Sequence, residues 1–146
     1  MTIGYYNQEC SYKLHSRRKI SQWIKETAAS EGFDTIENLS IVLCSDEYLL
    51  NVNRQYLSHD YYTDIITFDE TDYEQKIISG DIIISIDTVK ANAKEYGVST
   101  WNELMRIIIH GVLHLSGYKD KEPEQEKIMH AKEDFYLEKA AQLEII

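Results

Sequence analysis

The sequence of 146 residues is poor in cysteine and proline and has no long hydrophobic run. Its two cysteines, Cys10 and Cys44, are too few for a disulfide framework and lack metal-ligand spacing, so we expect free thiols in a reducing compartment. No run approaches the roughly 18 apolar residues of a membrane span, and the first residues do not resemble a signal peptide. We therefore expect a soluble, cytoplasmic protein with no membrane partner.

Basic residues are also scarce, since 15 Lys and Arg stand against 25 Asp and Glu, a net charge of −10. Phosphate contacts depend on Lys and Arg, so this balance argues against a broad nucleic-acid-binding surface. The acid is concentrated between Asp60 and Asp81, where seven carboxylates stand against Lys76 alone. Any role in RNA or DNA binding must therefore use a local site.

The length and the 43% apolar content suit one hydrophobic core, so we expect a single domain over residues 1–146. Short β-branched runs at 41–44, 65–68 and 82–86 predict buried strands, and 3–6 predicts a short edge strand. An acidic loop joins the second and third runs. Strands come first and helices cluster afterwards, which predicts an α+β fold, a small mixed β-sheet with helices packed largely on one side.

Apolar residues at helical spacing predict which helix faces are buried. These faces are Ile20, Trp23, Ile24, Thr27 and Ala28, then Leu49, Val52, Asn53 and Tyr56, then Val89, Ala93 and Tyr96, and last Ile128, Ala131 and Phe135. Between the last two faces lies the most apolar helix. We expect Thr100 and Glu103 to form a capping box, and the helix to run from about Trp101 to Ser116.

That helix and the turn after it carry a candidate metal site. His110 and His114 are four residues apart, so both imidazoles lie on one face and can bind one ion. Gly117 permits a sharp turn, and Asp120 can return as a third ligand. Three protein ligands with an open position describe a catalytic zinc site, one ion per chain, although Asp120 could instead cap the next helix.

This spacing is shared with metzincin-type metalloproteases, which need a glutamate directly after the first histidine to deprotonate the zinc-bound water. Gly111 occupies that position here. A zinc metalloprotease is therefore the alternative, and the less favoured one.

The motif resembles that of the YbeY family of bacterial metal-dependent endoribonucleases. The resembling residues are Arg106, His110-Gly111-Val112-Leu113-His114-Leu115-Ser116-Gly117-Tyr118, Asn53 and Tyr56 with Thr63–Phe68, and Gly80–Ser85. The resemblance spans most of the chain and implies a single-strand-specific endoribonuclease acting in ribosomal RNA maturation, at the 3′ end of 16S rRNA, and in ribosome quality control. It implies single-stranded ribosomal RNA and ribosomal particles as partners, and zinc or another divalent ion as cofactor.

Two positions depart from the family pattern. The family's third ligand is a histidine where this chain has Asp120, and the family tends to have an arginine where this chain has Leu57. A protein that binds pre-ribosomal particles without cutting RNA, and in which the ion is structural, is the alternative from a different functional class. It would bind with or without metal.

Other residues near these blocks are candidates for supporting roles. Arg106 lies one turn before His110, where it could neutralise a substrate phosphate or form an ion pair with Glu103 or Asp64. Asp64 and Asp81, which we expect at the starts of strands, could each orient a metal-bound imidazole. Tyr118, with Tyr61 and Tyr62, could stack on unpaired bases or simply pack.

Overall fold

Four strands and five helices make up residues 2–146, the part of the chain that the computed structural model describes. The predicted α+β class is confirmed. In chain order the elements are β1 (Thr2–Gln8), α1 (Arg17–Ser30), β2 (Thr35–Cys44), α2 (Asp46–Leu57), β3 (Ile65–Asp69), β4 (Ile77–Ser85), α3 (Ile86–Tyr96), α4 (Thr100–Leu115) and α5 (Pro123–Gln142).

The sheet has the strand order β1-β2-β4-β3 and is mixed. β1 pairs with β2 and β2 with β4 in parallel, whereas β3 pairs with β4 in antiparallel fashion. The first two strands and α1 form one βαβ unit, and the acidic loop joins β3 to β4. β2 and β4 are longer than their apolar runs, because the pairing of the two strands continues through polar residues such as Asp81 and Ser40.

The two faces of the sheet bury different helices. Ile82 and Ile84 belong to the main core, with residues of α1, α3, α4 and α5. Ile83, which points the other way because side chains alternate along a strand, packs with Leu49 and Val52 of α2. Four helices therefore contribute to the core on one side and α2 covers the other, as the prediction of helices largely on one side requires.

The predicted buried stripe of α1 is confirmed, since Ile20, Trp23, Ile24, Thr27 and Ala28 are all buried. Leu49, Val52, Asn53, Val89 and Ala93 are likewise buried. The two tyrosines assigned to those faces, Tyr56 and Tyr96, are each 64% exposed, so that part of the prediction is wrong. Both lie in the last turn of their helix, where the chain leaves the core.

The predicted face of α5 is also wrong. Ile128 and Phe135 are half exposed and Ala131 is exposed, whereas the buried residues are Met129, Glu133, Tyr136 and Ala140. The helix has apolar residues on two faces, and the face that includes a glutamate is the one packed against α4 and α1. That glutamate proves to be part of the candidate site.

Cys10 and Cys44 are both free. Burial raises the pKa of the Cys44 thiol to about 12, so this thiol is unreactive at neutral pH. None of the helices within residues 2–146 combines the length and the apolar character that crossing a membrane requires.

Candidate metal centre

The helix that carries the two histidines, α4, is capped at both ends. Its N-cap is Ser99, whose Oγ accepts a hydrogen bond from the Asn102 amide at 3.0 Å, so the predicted capping box from Thr100 is wrong. Glu103 is instead buried. At the other end Gly117 has φ +102°, and the amides of Gly117 and Tyr118 donate to the carbonyls of His114 and Leu113, as in a Schellman motif.

Gly117 turns the chain so that Asp120 returns to the histidine face. Nε2 of His110 and Nε2 of His114 lie 3.0 Å apart. Oδ2 of Asp120 is 3.2 Å from the first and 3.4 Å from the second. Asp120 does not cap α5, because the N-cap there is Glu122, whose amide donates to Oε1 of Gln125 at 3.1 Å.

These three atoms have the spacing of ligands around one ion. Zinc bound tetrahedrally at about 2.0–2.1 Å has ligand atoms about 3.3 Å from one another. His110, His114 and Asp120 form the one group of three or more potential ligands found within residues 2–146. The residues present therefore fit one divalent ion, held by two nitrogens and one oxygen, with a further position left for water or substrate.

Each histidine is oriented through its other ring nitrogen. Nδ1 of His110 is 2.6 Å from Oε2 of Glu133, and Nδ1 of His114 is 2.9 Å from the backbone carbonyl of Tyr118. When Nδ1 donates its proton to an oxygen, Nε2 presents its lone pair to the ion. Both contacts thus orient the imidazoles so that Nε2 of each ring faces the candidate ion site.

Sequence reasoning missed Glu133, which lies 23 residues after His110 on α5. Its carboxylate also accepts a hydrogen bond at 2.8 Å from Nη1 of Arg106, whose Nη2 donates to Asp134 at 2.6 Å. The side chain of Glu133 is only 8% exposed. The sequence contained one indication of this role. Glu133 is in helical register with the apolar residues Met129, Tyr136 and Ala140, and a carboxylate on a buried helix face needs polar partners.

Arg106 is therefore ion-paired, but its partners are Glu133 and Asp134 rather than the expected Glu103 or Asp64. The reason is that α5 packs along this face of α4, bringing two carboxylates within reach of the guanidinium. Its side chain remains 27% exposed.

Charge at the centre shifts the pKa values of two residues. Burial acts to lower the pKa of His110, but the hydrogen bond and charge of Glu133, with Asp120 and Asp64, outweigh it and raise that pKa. Burial acts to raise the pKa of Glu133, but His110 and Arg106 together lower it. Both shifts favour the charged forms of the two residues, so a proton and a metal ion would compete for His110.

The two aspartates considered as orienting groups lie in different places. Asp64 directly precedes β3 and lines a cavity together with His110, and burial raises its pKa although His110 acts to lower it. Asp81 lies within β4, not at its start as expected, and by strand alternation it faces away from α4 with Ile83. The residue that hydrogen-bonds to His110 is Glu133.

Gly111 places α4 close to the sheet. A Cβ atom there would lie 2.8 Å from Cγ2 of Ile82 and 3.1 Å from Cδ1 of Ile65, so only glycine fits without movement. A glutamate in this position would point into the sheet and not toward the histidines. The packing of α4 against the sheet is thus a structural reason why this position lacks the glutamate that a metalloprotease uses as its general base.

The tyrosines near the motif differ in exposure. The Tyr118 hydroxyl donates to Oε1 of Glu31 at 2.6 Å, and Glu31 also accepts hydrogen bonds from Tyr136 and from Lys132. Tyr61 and Tyr62 are 56% and 57% exposed. The side chain of Tyr118 is thus held in a network that ties α1 to α5, while the other two rings are accessible.

The chain is similar to known proteins along nearly its whole length. The family model described as Endoribonuclease YbeY matches residues 3–141. A protein named Endoribonuclease YbeY from Cytophaga hutchinsonii is 47% identical over 136 residues, 93% of this chain and 94% of its own. One of that name from Parabacteroides distasonis is 48% identical over 134 residues, 92% of each chain.

The fold has a counterpart among solved structures. The solution structure of TM1509 from Thermotoga maritima matches with a TM-score of 0.65 and 25% identity, over 94% of this chain and 87% of the other. With the family match over residues 3–141 and the two relatives above, these likenesses show that the chain belongs to the YbeY endoribonuclease family.

Proposed function

We propose that this protein is a metal-dependent endoribonuclease that cuts single-stranded RNA in the cytoplasm during ribosomal RNA maturation. Its membership of the endoribonuclease YbeY family supports the nuclease activity. The 3′ end of 16S rRNA is the proposed substrate, with ribosomal particles as partners and ribosome quality control as a second role. The observation that carries the metal dependence is the convergence of Nε2 of His110, Nε2 of His114 and Oδ2 of Asp120 within 3.4 Å of one another.

The ligand set suits zinc and leaves room for other ions. Two imidazoles favour zinc, and the carboxylate of Asp120 adds a charged, oxygen ligand that manganese also accepts. A structural zinc site is normally closed by four protein ligands, whereas three are present here among the described residues. This favours an enzyme over an assembly factor that holds a structural ion.

When bound, the ion would polarise a phosphoryl oxygen or lower the pKa of a water molecule. The chain's own residues then have separate tasks. Glu133 and the Tyr118 carbonyl hold the two imidazoles, and Arg106 holds Glu133. Asp64, whose pKa is raised by burial and which lines the cavity beside His110, is placed to accept a proton from the attacking group.

Two clefts reach the histidines of the centre, one at His110 and one at His114, which suits a polymer substrate that extends past the site on both sides. One cleft, of about 510 Å³, reaches His110 from the side of α3 and α5. The other, also about 510 Å³, reaches His114 from the side of Gly117, Tyr118 and Lys119. A single strand that crosses the ion would occupy both, and Lys119 would meet a phosphate in the second.

Elemental analysis and an RNA-cleavage assay with and without chelator test this function together. We expect about one zinc per chain, cleavage of an unstructured RNA that chelator abolishes, and intact casein. The His114→Ala variant should lose both the ion and the cleavage, because one of three ligands is gone. Equal zinc in that variant after dialysis, or cleavage that survives chelation, would refute the proposal.

A further inference from the structure

The cleft on the α3 and α5 side of the metal centre extends well beyond the ion. Its lining includes His110 and Arg106, two turns of α4 that lead to Glu103, and Asn92 and Tyr96 of α3. A volume of about 510 Å³ lies within the range of small-molecule sites. The space is therefore large enough to receive one group of a substrate in addition to the phosphate at the ion.

Glu103 is a buried carboxylate without a partner in this cleft. The residue is 5% exposed and, among residues 2–146, neither a hydrogen bond nor an ion pair reaches its carboxylate. Arg106, the nearest cation on the same helix, is bonded to Glu133 and Asp134 instead. Burial raises the pKa of Glu103 although Arg106 acts to lower it. Among the side-chain nitrogen and oxygen atoms of residues 2–146 that are fully enclosed, Thr27 Oγ1 alone lacks a partner, so the Glu103 oxygens are open to the cleft. There the donors of a ligand can replace the water that solvates this carboxylate.

Two side-chain amides of the cleft are available as well. Asn102 is exposed and Asn92 half-buried, and among the described residues only the backbone amide of Asn102, not its side chain, is engaged, with Ser99. Tyr96, 64% exposed, adds an aromatic face beside them. Arg106 also lines the cleft, but its charge is paired with Glu133 and Asp134. With Asp64, Glu103 and Glu133 the lining is acidic, so away from the ion the cleft suits an uncharged group that stacks and forms hydrogen bonds.

We infer that this cleft is a guanine-selective subsite, in which the Glu103 carboxylate accepts N1–H and N2–H of a guanine next to the scissile phosphate. This inference rests on the proposed endoribonuclease function. Guanine alone among the four bases presents two adjacent donors on its Watson–Crick edge, matching the two oxygens of a carboxylate. The side-chain amide of Asn102 donates to O6, and the Tyr96 ring stacks on the base.

The spacing along α4 agrees with this placement. Glu103 and His110 are seven residues apart on one face of the helix, about 10 Å at 1.5 Å per residue. This separation is comparable with the reach of one nucleotide from its phosphate to the outer edge of its base. A phosphate at the ion and a guanine at Glu103 can thus belong to the same or to adjacent nucleotides.

Cleavage of single-site oligonucleotides tests the subsite. End-labelled oligouridine with one G, A or C at its centre is incubated with the zinc-loaded protein, and the rate of cleavage beside the central base is compared. We expect G to be preferred over A by about tenfold or more, the discrimination typical of one bidentate contact. Glu103→Gln, which keeps the shape but replaces one acceptor by a donor, should abolish that preference.

Two further variants separate recognition from folding. Asn102→Ala is on an exposed position, so it should fold normally and lower the preference for G over A several-fold. Glu138→Gln, an exposed change on α5, is the matched control and should keep the full preference. Should Glu103→Gln fail to fold, the Asn102→Ala result decides the question.

A binding measurement without cleavage separates this inference from the function on which it rests. Guanosine 5′-monophosphate and adenosine 5′-monophosphate are titrated into the full chain by calorimetry. Tighter binding of the guanosine nucleotide, lost in Glu103→Gln, supports the subsite even if no RNA is cut. If RNA is cleaved without any base preference, and the rate is unchanged in Glu103→Gln and Asn102→Ala, the guanine subsite is refuted. The proposed endoribonuclease activity would be unaffected by that result.

Discussion

Replacing Glu133 with Gln should weaken metal binding although Glu133 does not itself touch the ion. Oε2 of Glu133 is 2.6 Å from Nδ1 of His110, and this contact sets the orientation and basicity of the imidazole. The substituted glutamine would keep the volume but lose the charge, and it would turn an amide toward either the histidine or Arg106.

Changes to groups of this kind typically cost 10- to 100-fold in metal affinity, about 1.4 to 2.8 kcal/mol. The upper part of that range is expected here, because the carboxylate is almost fully buried and water cannot replace it. The ion pair between Arg106 and Asp134 remains, so the helix packing should survive the change.

The assay is competition for zinc against a chromogenic chelator, with circular dichroism to show that the variant is folded. Asp134→Asn is the control, since Asp134 is 55% exposed, contacts Arg106 and has no contact with His110. Its affinity should stay close to that of the parent protein. An affinity within about twofold of the parent for Glu133→Gln would refute the claim that this carboxylate supports the site.

Four further results are expected. Asp120→Ala should weaken zinc binding at least tenfold in the same competition assay, whereas Asp120→His, which restores a nitrogen ligand, should retain zinc. Asp64→Asn should keep its zinc by elemental analysis but cut RNA about 10² times more slowly, because the proposed proton acceptor is lost. Hydrogen bonds from Tyr118 and other donors outweigh burial and lower the pKa of Glu31 below its ordinary 4.5. Glu31 therefore stabilises the fold above that pH and loses this effect as pH falls through its lowered pKa, so urea titrations should show Glu31→Gln converging on the parent protein in acid. Gly111→Ala should lower the melting temperature, since overpacking against Ile82 exceeds the gain of about 1 kcal/mol in helix propensity.

The variants at Asp120, Glu133 and Asp64 should differ from one another, because each residue has a different relation to the candidate ion site. Asp120 is a direct ligand candidate, Glu133 contacts His110, and Asp64 is the proposed proton acceptor, so the three variants should differ in zinc content and cleavage rate. Loss of cleavage with full zinc in Asp120→Ala would instead place Asp120 outside the ligand set.

Much of the candidate site could be predicted from the sequence alone, because it depends on local backbone geometry. A separation of four residues places His110 and His114 on one helix face whatever the rest of the fold, and Gly117 permits the left-handed turn that returns Asp120. The stripe of α1 and the short β-branched strands were equally predictable, because their periodicity depends only on backbone geometry within a few residues.

The supporting groups were decided by tertiary packing. Helix α5 has apolar residues on two faces, and only its contact with α4 determines that Glu133 is buried and Phe135 is exposed. The same contact pairs Arg106 with Glu133 and Asp134 instead of Glu103, so the Glu103 carboxylate lines the cleft without an ion pair among the described residues. Spacing within one helix is set by bonds between near neighbours in the chain. The choice between two faces, or between two partners for a charge, is instead a small difference in burial and pairing that exists only once the helices meet.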